Sequence, residues 1–462
     1  MTRKKFWTGG AILLAVGLAP FSSCRRPPGV PPAESFVLPP TGRLTIAAGG
    51  DIVINRPVAR SDRDTAFEAI VAVVRSATLA ITNLEMNLLA GDRANAARGS
   101  TEPRWTFGST REAAELKGLG FDLVGQANNH ATDYGPEGMM ETSEILTASG
   151  LMPAGSGRDL GHARAPVFAG GGPRKIAVLA VAISSSPESV ATPTRGIING
   201  RPGINPLRYA ADVTVDARSY ETLRRSAPAL QGGSETGSDQ FTLLGTNIKK
   251  GVQTAVNLVP DARDVDEILA QIGRARATAE VVVLSVHSHE PSNDSDRPAE
   301  FFEDFARRAI DAGAGLVVGH GPHRLRGVEI YNGGAILYSV GDFLFQPEPG
   351  QPPLADPYDA GLDMYSLAMG IPGRPAAGRP EAGSAERWEG AVAVASFEAG
   401  ALQALQMHPV DLGVDLPPTR KGIPRKPASP RAVTILETLA RLSQRYTTTI
   451  RIENGVGIVV LD

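Results

Sequence analysis

Four of the seven histidines lie between positions 287 and 323, in Val286-His287-Ser288-His289-Glu290 and Gly319-His320-Gly321-Pro322-His323. A fifth, His130, closes Ala127-Asn128-Asn129-His130. Imidazoles gather in this way where their nitrogens act together, most often on a transition metal. Carboxylates stand at comparable places: Asp51 after Gly49-Gly50, and Glu85 after Asn83-Leu84. A donor set of oxygen and nitrogen without thiolate suits zinc, manganese or iron, and argues against a structural zinc site or an iron–sulfur cluster. Two carboxylates and three or more imidazoles exceed the needs of one catalytic ion. Two divalent transition-metal ions, about 3.5–4 Å apart and bridged by one carboxylate, would use them all.

The elements that must position these groups share one pattern, an apolar strand with donors at its carboxyl end. It recurs at Ile46–Asp51, Ala80–Glu85, Val124–His130, Val283–His287 and Val317–His323. In α/β sheets ligands bind off the carboxyl ends of strands, where loops from several strands meet. Helical spacing follows at Asp64–Ser76, Glu112–Leu119, Pro136–Ala148, Asp264–Arg276 and Pro298–Ala312, so the chain alternates strand and helix from Arg43 onward. Asp296 is placed to cap the helix that begins near Pro298. The rhythm breaks between about 187 and 258, where loop-like stretches flank one amphipathic segment near Tyr220–Arg225. This reads as an insertion, either a lid or a substrate wall. Residues 370–386 are Gly/Pro/Ala-rich low-complexity sequence, expected to form a mobile loop. Strands and a helix at Pro430–Tyr446 complete the C-terminal portion, residues 346–462.

A composition of 42% hydrophobic and 21% charged residues can bury a full core. A formal charge of −3, with no basic run beyond the N-terminus, supplies no footprint for nucleic acid. Residues 1–24 read as an export signal. Arg3, Lys4 and Lys5 precede a short apolar stretch, and Ser22-Ser23 precede Cys24, the single cysteine. That ending resembles a lipobox, in which Cys24 would be lipidated and would anchor the chain outside the cytoplasm. With Cys24 unmodified, the protein would be secreted or periplasmic. Thr2–Phe6 faintly resembles a twin-arginine signal, which leaves the export route open. Residues 25–42 are proline-rich and suit an extended tether.

Several of these motifs in order resemble the capsule-synthesis protein CapA family, the poly-γ-glutamate branch of the calcineurin-like metallophosphoesterase superfamily. The motifs are Gly50-Asp51, Asn83-Leu84-Glu85, Ala127–His130 with Asp133-Tyr134-Gly135, His287, Gly319–His323 and Tyr338–Phe343. The resemblance covers roughly residues 43–345. It implies a four-layer α/β/β/α metallophosphoesterase-like sandwich, and a membrane-tethered, metal-dependent hydrolase linked to capsule or other exopolymer synthesis. The bond cleaved would be a phosphoester or a γ-glutamyl amide. Partners would be an anionic exopolymer or its precursor, and a membrane capsule-synthesis complex. By the same resemblance Asp51 would serve a first metal and Glu85 would bridge. Asn129, His287 and His320 would serve the second metal, and His323 would return to the first. His130 would face the substrate as general acid, oriented by Asp133.

Three departures accompany the match, one being that the family often continues Trp-Gly after the strand histidine, where this chain reads Ser288-His289-Glu290 after His287. The superfamily usually places a His two residues after the first Asp, where this chain has Val53; Asn55 or His289 could substitute, or the first site could be weak or empty. Asp342 stands where Asn is common. Arg324 and Arg326, beside His323, could hold an anionic substrate or serve as surface charges. The competing functional class is a non-catalytic polymer-binding or capsule-assembly protein on a degenerate metallophosphatase fold.

Overall fold

The computed structural model describes residues 38–39, 41–58, 64–90, 107–171, 174–230, 234–235, 239–243, 246–346, 385–417 and 419–461. The expected export signal with Cys24, most of the expected tether, and the low-complexity stretch up to residue 384 lie outside the described residues. Among the described residues no helix is long and apolar enough to cross a membrane.

Two large sheets dominate. In the nine-stranded sheet, Leu44–Val53 is central and runs parallel to Leu79–Leu84, which in turn pairs in parallel with Leu123–Gly125. On its other edge Leu44–Val53 meets Glu389–Glu398 antiparallel, so the C-terminal portion completes the same sheet. The six-stranded sheet is built on parallel Ile176–Ala182, Val281–His287 and Leu316–His320.

Alternation of side chains along these strands sorts the core into layers. Ile46, Ala48, Leu79 and Ile81 of the first sheet share one buried cluster with Val178, Ala180, Val283 and Val318 of the second. The opposite face of the first sheet, with Ala47, Ala80 and Val124, packs on Ile70, Val74, Leu116 and Leu146 from the helices Thr65–Arg75, Thr110–Leu119 and Gly135–Ala148. The opposite face of the second sheet, with Leu179, Leu284 and Val317, packs on Ile268, Ile272, Phe302 and Phe305 from Ala262–Arg276 and Glu300–Asp311. Helix, sheet, sheet, helix: the layers are the four expected.

Leu38, placed by sequence in the tether, is instead buried in the inter-sheet core. Asp296 does not cap the helix after it. Ala299 occupies the N-cap of Glu300–Asp311 without a side-chain bond. Asp296 accepts from Arg324 Nη2 at 2.6 Å, a charge-assisted bond that competes successfully with capping.

The stretch from 187 divides into two parts. Residues up to 208 are laid along the main body, where Leu207 N–H donates to Ala182 O (2.8 Å) and Asn205 Nδ2 to Ala180 O (3.0 Å). From Tyr209 to Pro260 the chain forms a five-stranded sheet of its own, with the helix Ala217–Ser226 packed on it. Val215, Tyr220, Phe241 and Ile248 are its small core. Its strands are half-exposed and polar on much of their length, so the apolar pattern that marks a core strand is absent.

The base of this sheet is fixed by a buried cluster. Asp264 accepts from Arg208 N (3.0 Å), Nε (2.7 Å) and Nη2 (2.8 Å), and also from Arg164 Nη2. Burial alone would raise the Asp264 carboxyl, but the bonds from Arg208 and the charge of Arg164 outweigh it and hold it low. Asp264→Ala removes the carboxylate shared by Arg208 and Arg164, the latter 4% exposed, and leaves Arg164 with Glu267 as its remaining carboxylate partner. The expected cost is about 1–3 kcal/mol in urea-induced unfolding, for buried donors that lose one of their partners. Because the folded carboxyl is depressed, its contribution is present at neutral pH and is lost as pH falls through the folded value.

Candidate metal centre

Register brings the donors together. Asp51 pairs with Asn83 on one side and Asp342 on the other, while His287 pairs with His320. The parallel strands of both sheets therefore end at one crest, and their last side chains face a common space between the sheets. Close backbone packing there requires glycine: a Cβ on Gly50 would lie 2.0 Å from Gly341 O. His323 follows Gly321-Pro322 with φ of 53°, a left-handed conformation costing about 1–2 kcal/mol in a non-glycine residue.

Two groups of donors converge, Glu85 with His287 and His289, and Asp51 with Glu85 and His323. Glu85 belongs to both. In the first group His287 Nε2 lies 2.8 Å from Asn129 Oδ1, 3.0 Å from His289 Nε2 and 3.6 Å from Glu85 Oε1. His289 Nε2 is 3.3 Å from Asn129 Oδ1 and 3.6 Å from Glu85 Oε1. Ligands about 2.1 Å from a shared ion, at tetrahedral to octahedral angles, stand about 3.0–3.4 Å apart, so this donor set fits a cation. In the second group His323 Nε2 lies 3.7 Å from Glu85 Oε2. Asp51 Oδ2 accepts from Gly321 N (2.7 Å) and Oδ1 from Asn83 Nδ2 (2.7 Å).

His320 is 1% exposed, and neither ring nitrogen has a hydrogen-bond partner among the described residues. Its Nδ1 is 3.8 Å from Asp51 Oδ1. Burial pushes this imidazole down to about 4 despite Asp51, which favours its neutral form. A buried, unsatisfied imidazole is costly unless a ligand uses it, which again fits a cation.

The ring nitrogens pointing away are held. His323 Nδ1 donates to Asp342 Oδ1 (2.9 Å), His289 Nδ1 to Asn293 Oδ1 (2.7 Å) and His130 Nδ1 to Asp133 Oδ2 (2.8 Å). Each bond leaves Nε2 aimed at the crest, the usual support of a ligating imidazole. Asp342 thus orients His323. Burial opposes protonation of His323, but Asp342 and Glu85 push it up to about 10. Burial likewise would raise Asp51 and Glu85. The surrounding imidazoles outweigh it, holding both carboxylates ionised. His289 is lowered, by burial first and by His287 next.

The chain matches the family model of the bacterial capsule synthesis protein PGA_cap over residues 45–347. The chain belongs to this family. Among curated proteins, the capsule synthesis family member here is 34% identical to the uncharacterised protein y4sH of Sinorhizobium fredii, across 90% of this chain and 93% of that one. Its likeness to the capsule biosynthesis protein CapA of Bacillus anthracis is 23% identity over 66% of this chain, spanning 60% of the CapA protein. The crystal structure of 5'-nucleotidase precursor from Thermus thermophilus superposes with a TM-score of 0.34 at 13% identity, covering 88% of this chain and 59% of that chain.

In this PGA_cap domain, the residues singled out from sequence divide as follows. Asp51, Glu85, Asn129, His287, His289 and His323 converge, with His320 beside Asp51. His130 stands at the edge, its Nε2 4.0 Å from Glu85 Oε1 and its side chain 22% exposed. Burial lowers the His130 imidazole, yet Asp133 and Glu85 raise it overall. The Asn55 backbone N–H donates to Gln346 Oε1 (3.1 Å). Arg324 and Arg326 are not exposed surface charges. Arg324 Nη1 donates to Asp294 O (2.8 Å) and Nη2 to Asp296 and Glu386. Arg326 is fully buried and donates to Ser292 O (3.0 Å) and Ser295 O (3.3 Å), so both guanidinium groups hold the loop after His289. Supporting residues not singled out from sequence are Asn83, which links Asp51 to Asn128 and His287, and Asn293 behind His289. Asn83 sits inside the Asn-Leu-Glu motif, a signal that was present; Asn293 lies in a polar loop without one.

Proposed function

We propose that this chain is an extracytoplasmic, membrane-tethered hydrolase of the CapA type that uses two divalent transition-metal ions. Its substrate is a phosphoester or γ-glutamyl amide bond in an anionic exopolymer or its precursor, handled beside a membrane capsule-synthesis complex. The single observation that carries the reading is the membership of Glu85 in both donor groups, as a bridging carboxylate requires. Cations bound there would polarise the scissile group and lower the pKa of an attacking water.

The remaining work falls to the chain's own residues. Asp51, Glu85, Asn129, His287, His320 and His323 would hold the ions. His130, partly exposed and raised in basicity, would hand a proton from Nε2 to the leaving oxygen or nitrogen. Asp133 fixes the ring for that transfer. The fully desolvated carboxylates act at short range in a low-dielectric setting, where charge stabilisation is strongest.

Elemental analysis of the purified chain is expected to give about two transition-metal ions, lost together in His320→Ala/His323→Ala. Chelation should lower stability by about 2.7 kcal/mol for each site held at 100 times its Kd. Metal-dependent turnover of a generic phosphodiester then tests the hydrolase assignment. The non-catalytic reading draws on Val53, whose side chain is buried in the apolar cluster behind the first sheet. Absence of metal under replete conditions, with polymer binding retained, would select it.

A further inference from the structure

His289 occupies a position that the usual ligand pattern of the superfamily does not provide for. Its Nε2 stands 3.0 Å from His287 Nε2, with Asn129 Oδ1 within 3.3 Å of both. Its Nδ1–H is committed to Asn293 Oδ1, so the lone pair on Nε2 faces another ring nitrogen. Two imidazole nitrogens in that relation repel unless a shared proton or a cation lies between them. Position 53, where a histidine would ordinarily complete the set, is unavailable to any ion here: Val53 is 0% exposed and packed in the outer apolar cluster. The total of imidazoles at the crest is thereby restored by His289 from a different strand end.

The backbone of His289 is anchored as well. Its N–H donates to Ser184 Oγ (2.8 Å), and Ser184 Oγ–H donates to Glu290 Oε2 (2.8 Å). Ser288 Oγ–H donates to the same oxygen (2.8 Å). The other oxygen, Oε1, accepts from the hydroxyl of Tyr209 (2.9 Å). Glu290 is 9% exposed and makes all three bonds inside the protein. Tyr209 is the first residue of the five-stranded inserted sheet, and its ring also packs on Phe301 with centroids 5.6 Å apart. A continuous chain of short bonds therefore runs from the inserted sheet to the backbone of His289.

We infer that His289 is a resident metal ligand of this chain, and that Tyr209 of the inserted sheet sets its position through Glu290. The inference rests on the two-metal reading above and goes beyond it by naming a ligand and the device that aims it. His289 belongs to the ion shared with His287, Asn129 and Glu85. Glu290 and Tyr209 are positioning residues, since neither is part of the donor cluster. A shift of the inserted sheet would reach the ion through two side-chain bonds and one backbone bond.

The test is Mn(II) titration of the purified full chain, with free Mn(II) read by electron paramagnetic resonance, and a thermal melt of each variant to confirm folding. Wild type is expected to bind about two ions. His289→Ala should retain one ion and weaken the other by at least about 100-fold. Tyr209→Phe and Glu290→Gln should each weaken the same ion by about 10-fold, the size seen when the support of a ligand is removed. Two ions bound by His289→Ala with unchanged Kd values would overturn the ligand assignment while leaving the two-metal reading intact. A weakened ion in His289→Ala with wild-type affinity in both Tyr209→Phe and Glu290→Gln would overturn the positioning role. No ion bound by wild type would remove the two-metal reading, and this inference with it.

Discussion

Glu85→Gln is expected to drop bound metal from about two ions per chain to less than one and to abolish turnover, as no other single substitution at the crest would. The reason is its place in both donor groups, whereas Asp51, His289 and His323 each belong to one. The amide keeps the shape but removes the negative charge. Glu85 is also the shared partner of the imidazoles, with His287 and His289 3.6 Å from Oε1 and His323 3.7 Å from Oε2. Loss of that charge leaves His323 with one carboxylate fewer and no bridge between the sites. Elemental analysis beside a melting curve separates the outcomes. A folded Glu85→Gln protein that keeps two ions would show that the carboxylate does not bridge.

His130→Ala is expected to behave in the opposite way, with metal content unchanged and kcat lowered by about 10²–10⁴. His130 Nε2 is 4.0 Å from Glu85, outside both donor groups, and its side chain remains partly open to solvent. Asp133→Asn should lower kcat by a smaller factor, about 10–100, because the ring keeps its place but loses the carboxylate that orients it. The measurement is single-turnover kinetics on metal-loaded protein, using a phosphodiester with a poor leaving group. A good leaving group needs little proton donation, so the His130→Ala defect should shrink with it. A defect of equal size on both substrates would remove the general-acid role and leave His130 as a substrate contact.

These two substitutions also separate the functional classes. A polymer-binding protein on the same scaffold would have no turnover for His130→Ala to lower, because binding needs no proton donor. Its ligation shell could still matter for stability, which is why metal content and turnover must be read on the same samples.

The layered fold follows from features written locally in the chain. Strand-to-helix alternation and one-sided apolar spacing, as in Phe302, Phe305 and Ala309, need only neighbours a few residues apart. Donors at successive strand ends, from Asp51 to His323, follow from the same local pattern, and the parallel strands of an α/β sheet bring such ends to one crest. Membership in the capsule synthesis family was legible for the same reason, since its motifs are short and ordered.

What the chain could not state locally is which donors share a point. Gly321 N–H reaches Asp51 Oδ2 across 270 positions, and that contact exists only after two separate sheets pack face to face. The meeting of His287 and His289 with Asn129 and Glu85, the burial of Val53, and the diversion of Arg324 and Arg326 to a loop all arise at this stage. So does the inserted sheet, whose strands lack an apolar face long enough to announce themselves. Sequence by itself determined the layers, the crest and the kinds of atoms present there. Only tertiary structure decided their partnership, because distances of about 3 Å between donors depend on inter-sheet packing that no run of neighbouring residues encodes.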